Sequence, residues 1–403
     1  MFLTVFLALT GCSEYALGTD PDDLELVDDG PDAAAGGHAT RDTDGDGIAD
    51  SEDDDADGDG VLNLFDPDPD GDGEPGWTLD ADPSDDPEID LTTNLPTPEE
   101  GSVRGRVCAP NGSTWVAGAT VQIVTAYGIF ETETNGDGWW QIDGLPPGDY
   151  VVMMWKGHFS RAFEVTVEDG QITEDLYEEC LEQGQVRVAV VSGQYDSIGA
   201  VLSHLGIQFD TINGMNDNVA TAFLTDYAAL DEYDLIFFNC GMSFAWLEND
   251  EATVAGNLRQ FVTSGGSIYA SDWAYLMIEE PFPDAITFLG DDNEPGDAFR
   301  GLEGQIDAIV VDTAMANLLG SNLAAINYDL NAWVTMQSVN QGGLLLSGEF
   351  AYLQDDESVA TVEAPLAARF EYGAGKATFT SFHNEVQTTL DMERLLEDIV
   401  LAL

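Results

Sequence analysis

The densest chemistry in this chain of 403 residues is a run of aspartates that keeps a fixed register. In blocks of thirteen it reads DTDGDGIADSEDD from Asp42, DADGDGVLNLFDP from Asp55 and DPDGDGEPGWTLD from Asp68. Each block has Asp at positions 1, 3 and 5 and Gly at positions 4 and 6, a strict period that acidity alone does not produce. Calcium takes six to eight oxygen ligands, alternate residues of a tight loop turn their carboxylates inward, and Gly at position 6 permits the sharp bend. The first block offers Asp42, Asp44, Asp46, the Ile48 carbonyl, Asp50 and Asp53. The second offers Asp55, Asp57, Asp59, the Val61 carbonyl, Asn63 and Asp66. In the third, Asp68, Asp70 and Asp72 are followed by Gly76 and Leu79 at positions 9 and 12, so it is degenerate unless it borrows Asp80 or Asp82. A dense cage of protein oxygens suits calcium better than magnesium, with affinities of roughly 0.1 to 1 mM. The plain alternative is a solvated acidic spacer.

No amphipathic helix flanks any block, which argues against paired EF-hands. The pattern DxDxDGxxDxxD resembles thrombospondin type 3 repeats, which implies calcium as the core of a segment with little hydrophobic content. The disulfide-forming cysteines of that family are absent here. Net charge is no evidence for calcium. The chain holds 77 acidic and 11 basic residues, a formal net charge of -66, but 31 acids precede Gly101 and 46 follow it. Such a surface lacks the basic footprint that phosphates need, which excludes a nucleic-acid partner.

The chain opens MFLTVFLALTGC, an apolar run too short to cross a bilayer as a helix. Leu9-Thr10-Gly11-Cys12 resembles the lipobox of bacterial lipoproteins, although the usual Lys or Arg before the run is missing. The resemblance implies cleavage before Cys12, lipid attachment to its thiol, and an exported protein anchored in a membrane of the cell envelope or outer surface. In an oxidising compartment two of the remaining cysteines would pair. Cys108 and Cys180 bracket one predicted domain and are the natural couple, which leaves Cys240 as the odd thiol.

The organisation follows: a signal peptide over 1–11, a flexible linker over 12–40, the Asp-rich repeats over 41–90 and a Pro/Thr linker over 91–100. From Ser102, short alternating runs broken by turn dipeptides such as Asn111-Gly112 and Asp169-Gly170 predict an antiparallel β-sandwich over 101–180. The stretches "GATVQI" and "TNGDGWWQIDGLPPGDYVVMM" resemble the carboxypeptidase regulatory-like, transthyretin-like fold. Over 185–403 apolar strands such as QVRVAVVS and YDLIFFNCG alternate with amphipathic helices, which predicts an α/β, mostly parallel, flavodoxin-like sheet. The segment LAARFEYGAGKATFTSFHNE reads as a hairpin that leads into a closing helix.

The last region resembles the class I glutamine amidotransferase-like superfamily, including its ThuA-like branch, through YDLIFFNCG, LRQFVTSGGSIYASDW and GAGKATFTSFHNE. The resemblance implies a nucleophile on a strand-to-helix elbow and an H-x-E pair near the end, which His383 and Glu385 match. The elbow after SIYAS holds Ser271 and Asp272, while Cys240 lies one strand earlier, where a thiolate would lack its base. His38 and His158 have no partners in sequence, His204 reads as a helix C-terminal residue, and four histidines give no zinc spacing. Trp139 and Trp140 face opposite sides of a strand, so at least one is core, and the other, if exposed, could stack on a sugar. The expected protein is therefore a lipid-anchored, calcium-binding surface protein without catalysis, with carbohydrate or another surface protein as partner. The alternative is a surface hydrolase or amidase that uses Ser271 or Cys240 with His383 and Glu385.

Overall fold

The computed structural model describes Ala56, Gly58 and residues 100–174, 179–290, 295–384 and 388–403. Cys12, the aspartates of the repeats and Glu385 lie outside the described residues. The chain divides into two compact units, Met1–Thr93 and Asn94–Leu403, and the second is described below.

Alternating apolar residues form the first strands of that unit: β1 Gly101–Cys108, β2 Thr120–Thr125, β3 Gly128–Glu133, β4 Trp139–Leu145, β5 Gly148–Lys156, β6 Phe159–Val167, β7 Ile172–Glu174 and β8 Glu179–Cys180. They make two sheets, one with β1 between β4 and the short β7 and β8, the other in the order β3-β2-β5-β6. Period 2 decides the faces: on β5, Val152, Met154 and Lys156 are all buried. On β4, Trp140 is buried and Trp139 is 43% exposed, as the sequence required of one of the pair. The exposed ring already meets a cation, because the Arg106 guanidinium lies 3.4 Å from the Trp115 ring centre and 5.3 Å from that of Trp139. Cys108 and Cys180 stand opposite each other in the parallel β1–β8 pair and form a disulfide, the couple that their positions suggested.

The grammar then changes to strands separated by helices: β9 Val188–Val191, β10 Asp210–Ile212, β11 Leu235–Phe238 and β12 Ser267–Ser271. They pair in parallel in the order β10-β9-β11-β12, and the late strand Gly375–Thr380 joins β12, also in parallel. β9, β11 and β12 are buried along their whole length, as expected where helices cover both faces. The sheet as a whole has eleven strands and is mixed, which corrects the expectation of a mostly parallel one. Parallel neighbours need a long crossover, whereas Gly343–Leu353, Val359–Tyr372 and Gly375–Thr380 follow one another through short turns and pair antiparallel. The expected terminal hairpin is the last of these pairs, and the closing helix is Leu390–Ala402.

Among the described residues helices are few, the longest being Glu251–Thr263 and Leu390–Ala402 at 13 residues each. No helix among the described residues is long and apolar enough to cross a membrane. Val254, Leu258 and Val262 of the first belong to one apolar cluster of the sheet. Leu395, Leu396 and Ile399 of the second belong to another, which continues into Val121, Val152 and Met154 of the sandwich. Sandwich and α/β region therefore share one core. Their contact also carries charge: Lys156 at the end of β5 forms a buried ion pair with Asp398 of the closing helix and donates to the Ala117 carbonyl. The next residue, Gly157, has φ +55°, and a Cβ there would stand 2.1 Å from the Leu403 carbonyl oxygen, so only glycine lets the two backbones approach this closely.

Candidate functional site

The site is made by three adjacent parallel strands whose carboxyl ends line up, the place where open α/β sheets hold ligands. Pairing of Phe238 with Ala270 and of Ser271 with Thr380 fixes the stagger. Cys240 then follows β11 by two residues, Asp272 follows β12 directly, and His383 comes three residues after Gly375–Thr380. Asp272 takes φ +47°, a left-handed conformation that costs a non-glycine residue on the order of 1 kcal/mol and that clusters at functional sites. It turns the chain from β12 into the short helix Asp272–Tyr275.

Asp272 is buried at 4% exposure. Its Oδ1 accepts from the Val334 N–H at 2.6 Å. Its Oδ2 accepts from the Cys240 thiol at 3.4 Å and lies 3.5 Å from His383 Nε2. The three donor atoms of Cys240, Asp272 and His383 are all within 4.8 Å of one another. Burial foremost, and then the negative charge of Asp272, push the Cys240 thiol far above its ordinary range, so the sulfur stays protonated. Gly193 backs the loop that carries Cys240, and a Cβ there would stand 2.0 Å from the Cys240 carbonyl oxygen.

Ser271, fully buried, faces another way. Its hydroxyl donates to Asp196 and accepts from the Cys240 N–H at 3.2 Å. Burial pushes the Asp196 carboxyl up, while the His383 charge, the Ser271 hydroxyl and the N–H groups of Asn384 and Ser197 oppose that shift.

The structure thus brings Cys240, Ser271 and His383 to one place. Strand order along the chain separates them, whereas parallel pairing of β11, β12 and Gly375–Thr380 sets their ends side by side. The Ser271 hydroxyl donates to Asp196, and the Cys240 thiol donates to Asp272. The two carboxylates were not assigned to a site from sequence. Asp272 had a signal in its place directly after a buried strand, while Asp196, in the loop after β9, had none.

Cys240, Asp272 and His383 line a pocket of about 230 Å³ together with Tyr195, Trp273, Asn327, Tyr328, Asp329 and Trp333. The Tyr328 and Trp333 rings stack with centres 4.0 Å apart. Trp333 donates its indole N–H to the Leu302 carbonyl at 2.9 Å, and Tyr328 shares a hydrogen bond with Ser381 at 2.7 Å. Both aromatic residues are held rigidly.

No curated protein matches the chain. Among solved structures, the Bacillus anthracis TIE protein is 18% identical over 21% of this chain with a TM-score of 0.18, and the match spans only 16% of its own length. A cytoplasmic protein from Salmonella typhimurium, STM3548, is 17% identical over 54% of this chain and 97% of its own, with a TM-score of 0.33. PurLQS from Thermotoga maritima is 14% identical over 54% of this chain and 98% of its own, with a TM-score of 0.31. Residues 102–176 match the family model of the carboxypeptidase regulatory-like domain, and this part of the chain is such a domain.

Proposed function

We propose that the chain is an exported, lipid-anchored surface protein that binds calcium through the Asp-rich repeats and a ligand through its C-terminal α/β region, without acyl transfer. The observation that carries the non-catalytic part is the fate of the two candidate nucleophiles. At the elbow where the flavodoxin-like, ThuA-like amidotransferase pattern wants a reactive group stands the carboxylate of Asp272, while the Ser271 hydroxyl donates to Asp196 and the Cys240 thiol to Asp272. The disulfide supports export, since such bonds persist in oxidising compartments. Gly58, at position 4 of the second repeat, takes φ +70°, a conformation that favours glycine. The pocket suits a sugar ring, whose apolar face would stack on Tyr195 or Trp273 and whose hydroxyls would bond Asn327 and Asp329.

Two measurements test this. Calorimetry of the full chain with calcium should show at least two ions bound, with Kd roughly 0.1 to 1 mM. Asp46→Asn and Asp59→Asn should each remove one of them, and a flat response up to several millimolar would refute the calcium sites. Fluorophosphonate and iodoacetamide probes on the native protein should leave Ser271 and Cys240 unlabelled. Stoichiometric labelling of either would favour the hydrolase reading, with His383 and Glu385 completing the site.

A further inference from the structure

We infer that Cys240, Asp272 and His383 are a three-ligand site for one divalent transition-metal ion, zinc foremost, in the wall of the aromatic pocket. This goes beyond the function proposed above, which needs no such metal, and is separate from the oxygen-only calcium repeats. A thiol, an imidazole and one carboxylate form a borderline-soft set that selects zinc-like ions over calcium or magnesium.

Two of the three edges of the cluster have the length expected of a metal face. With bonds of about 2.0 to 2.3 Å, neighbouring ligands of a tetrahedral zinc stand about 3.3 to 3.8 Å apart. Here Sγ to Oδ2 is 3.4 Å and Nε2 to Oδ2 is 3.5 Å, with all three atoms inside 4.8 Å. The carboxylate is oriented from outside, because the Val334 N–H holds Oδ1 and leaves Oδ2 toward sulfur and imidazole, as outer groups do in metal sites. The strained φ of Asp272 is the local cost of placing that carboxylate. Three protein ligands leave a fourth position, and because all three residues line the pocket, that position opens where a bound ligand would sit, as in zinc sites that keep an exchangeable partner. On binding, the thiol proton leaves to solvent and the sulfur bonds the metal as thiolate.

The test uses the full chain, stripped of metal and returned to saturating calcium so that the Asp-rich repeats are occupied, with Cys240 confirmed as a free thiol by mass spectrometry. Cobalt(II) is titrated first, then zinc. One equivalent of cobalt should produce a thiolate-to-cobalt charge-transfer absorption together with tetrahedral ligand-field bands, and one equivalent of zinc should abolish both. Cys240→Ser, a one-atom change, should eliminate the charge-transfer band with an unchanged melting curve. Asp272→Asn and His383→Gln should weaken binding more than about 100-fold, beyond what loss of an outer-shell partner costs. Absence of the band in the unmodified chain, or its survival in Cys240→Ser, overturns the assignment. The first criterion holds even if the Asp272 variant does not fold. Neither outcome bears on the probe-labelling result, which concerns nucleophilicity and is measured without added metal.

Discussion

Asp398→Asn is expected to lower the unfolding free energy by about 3 kcal/mol, because it leaves buried positive charge without its partner. Lys156, 6% exposed, pairs with Asp398, 5% exposed, and the Asp398 charge also counteracts the burial that pulls the Arg369 guanidinium down. One carboxylate therefore compensates two cations from different parts of the fold, one at the end of a sandwich strand and one in the large sheet. Lys156→Met should cost less, since Arg369 still faces Asp398. The double variant Lys156→Met with Asp398→Leu should recover the part of the loss that comes from Lys156, as a buried pair replaced by apolar groups of similar volume is often near neutral, while Arg369 stays without that carboxylate. Urea midpoints of the three variants check this. A midpoint unchanged in Asp398→Asn would mean that the pair contributes nothing.

Removing the disulfide should have a comparable effect. Cys108→Ala with Cys180→Ala is expected to destabilise the protein by about 4 kcal/mol, the loop-closure entropy of a 72-residue separation. Cys180 lies on β8 just before the chain leaves the sandwich, and Leu181 N–H donates to the Cys108 carbonyl at 2.7 Å. The bond therefore ties the exit of the sandwich to its first strand. The alanine pair is preferred to serines because Cys108 is fully buried and a hydroxyl there would lack hydrogen-bond partners. Urea unfolding of the unmodified protein with and without reductant should reproduce the difference, and coincident curves would show that the cross-link adds no stability.

Much of the architecture was legible because it is written in local period. Alternation on β4 told that one of Trp139 and Trp140 is core, and β9, β11 and β12 read as buried strands from unbroken apolar runs. The couple Cys108–Cys180 followed from where the two residues fall around one predicted domain. What local period cannot encode is which strand lies beside which. Residues 300–372 carry the antiparallel half of the large sheet, and a sequence read for alternating strands and helices extended the parallel pattern over them.

The same distinction runs through the site. By itself the sequence determined the thirteen-residue register of the Asp42 and Asp55 blocks, since the spacing of consecutive residues is a property of the string. It also supplied Ser271 at the end of a buried strand and His383 just past another. Only the tertiary structure decided that Cys240, Asp272 and His383 meet, and that Ser271 turns to Asp196, because inter-strand stagger is set by pairing β11 with β12 and β12 with Gly375–Thr380, segments that are not neighbours in the chain. It likewise decided that Lys156, a lysine on the apolar face of β5, finds its carboxylate 242 residues later. A charge buried by strand period is costly alone, and which distant group relieves it depends on how the sandwich and the closing helix pack.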